Sequence, residues 1–196
     1  MRKILCVLLS VLLVCGFTLS VSATTSVELA VPQIQQVQGS NWCWAACGAS
    51  TVNYLTSYTI TQQDFYTNTT KLSIYDYSKS ALCSEVLVGL KYYGLNGTYT
   101  NHMTVGSSQL LSMSQISNQL SADMPIFALK GRYTDLGIAI NIGHYYLIRG
   151  CIDGNTVLSD YVSLMDPDTG SYVLMSYSSW CDSTSAYWHA TIYNIA

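Results

Sequence analysis

The run CWAACGASTVNYL, residues 43–55, constrains the fold more than any other stretch of this chain. It carries no charged side chain, and Ala45, Ala46, Gly48 and Ala49 offer almost no bulk. The segment reads as a buried helix. Gly48 lowers its intrinsic helicity, so tertiary packing has to hold it. Small side chains also let neighbouring elements approach closely, which calls for a fold built around one helix near the N-terminus.

The remaining pattern divides in two. In SALCSEVLVGLKYYG, residues Leu82, Val86, Leu87, Leu90 and Tyr93 recur at helical spacing and Gly94 fits a helix stop. TSYTITQQDFYTN reads as a loop followed by a short helical turn, and Ser114 is placed to cap the helix SQISNQLSA. GTYTNHMTV and PIFALKG read as strands. The last third, GHYYLIRGCI, VLSDYVSLMDP, SYVLMSYSSW and AYWHATIYNI, is strand-rich, with turn signals at Asp153-Gly154-Asn155 and at Asp166-Pro167-Asp168-Thr169-Gly170. Helices followed by an antiparallel meander define the α+β class. No repeat or linker divides the sequence, so residues 24–196 are expected to form a single domain.

Residues 1–23 read as a signal peptide. Arg2 and Lys3 precede the apolar stretch ILCVLLSVLLVCGF, and Val21-Ser22-Ala23 suits cleavage after Ala23. The apolar stretch is too short to favour stable membrane insertion, so a secreted, extracellular protein is expected. The chain has a net charge of −3, and loss of Arg2 and Lys3 makes it more acidic. Without a basic cluster, nucleic acid is a poor partner. Cys43, Cys47, Cys83, Cys151 and Cys181 follow the signal, and an odd number in an oxidising compartment leaves one thiol apart from the pairs. Cys47–Cys83 and Cys151–Cys181 are the preferred disulfides.

Cys43 suits the role of the separate thiol. A thiol is a useful nucleophile only as a thiolate, and unpaired N–H groups at a helix start favour that anion. Trp44 would cover it against water. Its base must come from His102, His144 or His189. His144 opens an apolar strand, His102 has no evident orienting partner, and His189 lies within the last strand. Asp166 follows His144 at a hairpin's distance and can hold the imidazole ring, with Asp168 as the competing carboxylate. The Cys43 N–H and a glutamine side chain, Gln38 or else Gln36 or Gln35, would receive a developing oxyanion. No CxxC pair exists and the histidines are dispersed, so neither a metal site nor a cofactor is expected.

These residues carry a resemblance. QGSNWCWAAC resembles the glutamine-to-cysteine segment of papain-like cysteine peptidases, whose hallmark is Cys-Trp-Ala at a helix start. GHYYLIRG resembles their histidine strand and LMDPDTG the loop of their third member. The chain is most similar to the compact bacterial type, including bacteriocin-leader peptidases and secreted staphopain-like enzymes, in which Asp-Pro replaces papain's asparagine. The order Gln, Cys, His, Asp runs over about residues 31–180.

The resemblance implies a papain-like α+β fold, with a helical lobe around the N-terminal helix packed on an antiparallel sheet lobe. It implies Cys43 as nucleophile, His144 as base and acid, Asp166 as orienting group and Gln38 as oxyanion donor. A monomeric peptidase acting on a protein or peptide through a thioester follows. Two departures stand out: papain's glutamine lies one residue further from the cysteine, where this chain has Val37, and no pro-domain is evident. A non-catalytic secreted binding module on the same fold, or an acyl-transferring transpeptidase or deamidase using the same triad, are the alternatives.

Overall fold

A computed structural model describes residues 24–102, 110–133, 139–154, 160–182 and 186–196. The expected signal peptide, with Cys6, Cys15 and the cleavage site at Ala23, lies outside the described residues, as do Asn155 of the first turn and the end of GTYTNHMTV. Among the described residues no helix is long and apolar enough to cross a membrane.

Helix α1 (Cys43–Leu55) is buried from Cys43 through Val52. Its small residues are used for close approach: a Cβ added to Gly48 would collide with the ring of Phe65. Phe65 belongs to α2 (Gln62–Thr70), which packs with α1 and with α3 (Cys83–Tyr92). Helix α2 is longer than the turn expected from sequence. Thr61 caps it, its side chain accepting from the Asp64 N–H while the Asp64 carboxylate accepts from the Thr61 N–H. Helix α3 matches its apolar spacing, with Gly94 at φ +85° just beyond its end.

The strands are β1 (Thr25–Glu28), β2 (Thr98–Asn101), β3 (Ile126–Tyr133), β4 (Ala139–Asp153), β5 (Tyr161–Asp166), β6 (Ser171–Ser176) and β7 (Ala186–Tyr193). They form one antiparallel sheet in the order β2-β7-β3-β4-β5-β6. The long β4 organises it. Residues 139–148 pair with β3, and residues 150–153 pair with β1. Buried Arg149 ties this end together: its guanidinium bonds to Glu28 and to the Ser163 hydroxyl (2.8 Å) and lies 3.7 Å over the Tyr172 ring. Helix α4 (Met113–Ser121) buries Met113, Ile116 and Leu120 and packs on β1, β3 and β4.

The molecule is therefore a mixed α/β structure, with an antiparallel sheet and, among the described residues, five helices. Three local expectations are corrected. Ser112, not Ser114, caps α4, because its side chain accepts from the Gln115 N–H while Gln115 bonds back to the Ser112 N–H. SYVLMSYSSW does not stay extended: after β6 the chain winds into α5 (Tyr177–Cys181). The expected disulfides are absent, the five cysteines among the described residues all being free. The Cys47 and Cys83 sulfurs instead contact the Tyr145 carbonyl (3.7 Å) and hydroxyl (3.4 Å). Cys151 sits beside Ser117 of α4, and Cys181 beside Tyr177 and Lys130, so these two occupy different neighbourhoods.

Candidate active site

Cys43 is the first residue of α1, and no side chain caps that helix. The Ala45 and Ala46 N–H groups turn back to the Trp42 carbonyl at 3.0 and 2.9 Å. The first N–H groups of a helix have no partner within it, so the end at Cys43 is suited to an anion. Both flanking tryptophans are fully buried and anchor this end. Trp42 donates its indole N–H to the Asp76 carbonyl (2.8 Å) and stacks on Tyr66, ring centroids 4.5 Å apart. Trp44 donates to the Lys79 carbonyl at 3.0 Å. Cys43 itself is 7% exposed, open only toward a cleft of about 890 Å³.

His144 enters that cleft from β4. The β3–β4 register jumps between Gly131, opposite Gly143, and Arg132, opposite Ile140, so a bulge immediately precedes Gly143-His144. Bulges re-aim the side chains next to them. Gly143 has to be glycine because a Cβ there would strike the Lys130 carbonyl. The His144 Nε2 meets Asp166 Oδ1 at 2.9 Å, which leaves Nδ1 for the cleft that His144 and Cys43 both line. Tyr146 stands edge-on to the imidazole, centroids 4.6 Å apart. Burial alone would make His144 harder to protonate, but its bond to Asp166 and the nearby Cys43 sulfur outweigh that and raise its pKa to about 9.

Asp166 closes β5, and its Oδ1 also accepts from the Asp168 N–H at 2.9 Å. Burial opposes its ionisation, yet the bonds from His144 and Asp168 hold its carboxyl below the ordinary range. Asp168 thus meets Asp166 through its backbone, and the carboxylate facing His144 is that of Asp166.

The glutamine segment is tied to the same turn. The Gln36 N–H donates to the Pro167 carbonyl (2.7 Å), and the Gln35 amide donates to the Asp168 carbonyl (3.1 Å). Gln62 of α2 braces it from behind, donating to the Gln35 carbonyl and accepting from the Val37 N–H. This arrangement sends Gln36 into the cleft lining and leaves Gln38 exposed and outside it. Gln36 Nε2 uses one hydrogen on the Ser40 carbonyl (2.9 Å) and keeps a second to donate. Sequence reasoning missed the bracing role of Gln62, which no local motif announces.

The other candidates are placed elsewhere. His102 is buried, bonded to the Thr191 hydroxyl at 2.9 Å, and burial with the neighbouring His189 lowers its pKa to about 4. His189 lines the cleft, but its Nδ1 meets the Tyr187 hydroxyl at 3.2 Å. Burial pushes the Cys47 thiol well above its usual value, with Cys43 and Asp166 adding to the rise. Among the described residues no group of His, Cys, Asp and Glu is arranged to hold a metal.

A buried cysteine at an open helix start, sharing a cleft with a histidine that a carboxylate holds, suits a cysteine peptidase. The chain belongs to the Peptidase_C39 like family, which it matches over residues 28–194, from the end of β1 to just past β7. Comparison with curated proteins gives no match.

Proposed function

We propose that this protein is an exported, monomeric peptidase of the compact papain-like type, acting on a protein or peptide substrate. Cys43 is its nucleophile, His144 its acid and base, and Asp166 its orienting carboxylate. Gln36 and the Cys43 N–H receive the oxyanion. Gln36 takes the role first given to Gln38 because it lines the cleft while Gln38 faces solvent. Residues 1–23 direct export, and residues 24–196 act as one domain. The observation that carries the reading is His144, held by Asp166 at 2.9 Å and sharing one cleft with Cys43 at the open start of α1.

The steps follow from the chemistry of these groups. The Cys43 sulfur attacks the scissile carbonyl carbon, and the carbonyl π pair moves onto oxygen, facing the Gln36 amide and the helix-end N–H. As the tetrahedral adduct collapses, the C–N bond breaks and the leaving nitrogen takes a proton from His144. A thioester remains on Cys43. His144, now neutral, takes a proton from water; the hydroxide oxygen adds to the thioester carbon, and the sulfur departs as thiolate. Asp166 keeps the imidazole in the orientation both transfers need. Buried Trp44 shields the thiolate from bulk water.

The test is incubation of residues 24–196 with a mixed peptide library, with products identified by mass spectrometry. The expected result is new peptide termini with the native chain and none with Cys43→Ala. Equal product from both would contradict the reading. Added amine distinguishes hydrolysis from acyl transfer, since only transfer yields amine adducts.

A further inference from the structure

The cleft crosses the end of the sheet in strand order. Asp166 lies on β5, His144 on β4, Leu129 and Arg132 on β3, His189 on β7 and Asn101 on β2. Neighbouring strands are about 4.8 Å apart, so β7 stands about 10 Å from the His144 strand, or roughly three residues of extended peptide. The reaction described above uses only the β4–β5 end. The part over β3 and β7 has no role in it.

That part holds one uncompensated cation and a histidine set by a bulge. On the opposite wall Lys79 is neutralised by Glu85 at 3.1 Å. Arg132 is exposed and has no ion-pair partner among the described residues, in a protein whose net charge is −3. His189 is 7% exposed and reaches the cleft through a second irregularity of the sheet. Leu129 pairs with Ala190 and Lys130 with Trp188, so His189 is the residue left over between them. With its Nδ1 engaged by the Tyr187 hydroxyl, Nε2 is the ring nitrogen left for the cleft. The bulge puts His189 on the lining that also holds Arg132, and that uncompensated guanidinium supplies positive potential on the β3–β7 side, two strands from Asp166.

We infer that Arg132 and His189 form a carboxylate-binding subsite, so that the preferred substrates carry an acidic group within about three residues of the scissile bond. This rests on the peptidase reading and names its substrate class. The guanidinium supplies paired N–H donors that suit a carboxylate, and His189 a further polar contact. An Asp or Glu side chain and a free C-terminus both offer that chemistry.

The experiment uses peptides matched except for Glu or Gln at each position near the cleaved bond, and a second set ending in carboxylate or amide. For one of these pairs kcat/KM is expected to favour the anionic member by about tenfold. Arg132→Gln should bring that ratio close to one, and Arg132→Glu should reverse it in favour of a Lys peptide. Circular dichroism confirms that the variants fold. A wild-type ratio near one in every pair, or an unchanged ratio in Arg132→Gln, overturns the inference while leaving the peptidase reading intact. Failure to cleave any peptide, with Cys43 unreactive, overturns both.

Discussion

Gln36 and Gln38 are two residues apart and chemically identical, yet only Gln36 lines the cleft. What separates them is remote in sequence: the Pro167 carbonyl draws in the Gln36 backbone, and Gln62 clamps the residues on either side. Spacing from Cys43 carries no trace of those contacts, which is why it pointed to Gln38. Gln36→Ala should lower kcat by about 10²–10³ with little change in KM, as expected for an oxyanion donor, whereas Gln38→Ala should leave both unchanged. Steady-state kinetics on one peptide substrate checks both. The Cys43 and Asp166 positions left local signals, a helix start and a turn; His144 was expected to open its strand, whereas β4 begins at Ala139 and the bulge before Gly143 presents the ring.

The same scale sets a pH dependence. His144 holds its proton up to about pH 9, because Asp166 and Cys43 outweigh the burial that opposes its charge. Folding therefore gains stability from His144 that is complete below its unfolded value near 6.5 and is lost as pH rises through about 9. Asp166, held low, contributes above the ordinary carboxylate range and loses its contribution on acidification. In the proposed mechanism the proton given to the leaving nitrogen disappears with the same alkaline step, so kcat/KM should fall with an apparent pKa near 9. A pH–rate profile measures it, and Asp166→Asn should move the alkaline limb to lower pH.

At the scale of elements, α1 and α3 were readable because apolar and small residues repeat at helical spacing. Helix α2 was underestimated because it buries little beyond Gln62, Phe65 and Tyr66, although its Thr61–Asp64 capping pair was present in the sequence. The cap of α4 was misplaced for a similar reason: Ser112 and Gln115 form the box, and Ser114 falls inside the helix. Packing between α1 and α2 gives the clearest stability prediction. A methyl at Gly48 meets the ring of buried Phe65, so Gly48→Ala should cost about 1–3 kcal/mol despite its better helix propensity. Chemical denaturation should show a lower midpoint with an unchanged m-value.

At the scale of the molecule, the meander β3-β4-β5-β6 follows chain order and could be anticipated from the alternation of strands and turns. The insertion of β7 between β2 and β3 could not, because it joins segments far apart in sequence. That insertion extends the cleft beyond His144. The cysteines show the same contrast, since counting suggested two bridges while the five described sulfurs are free, those of Cys47 and Cys83 both lying against Tyr145. One measurement tests the central claim, that Cys43, His144 and Asp166 work as a unit, most directly. Residues 24–196 are treated with an epoxide-type cysteine-peptidase inhibitor and the labelled site is read by mass spectrometry. The account predicts one label, on Cys43, with labelling strongly slowed in His144→Ala. Label on Cys83 or another thiol, or labelling of Cys43 that is indifferent to His144, would contradict it.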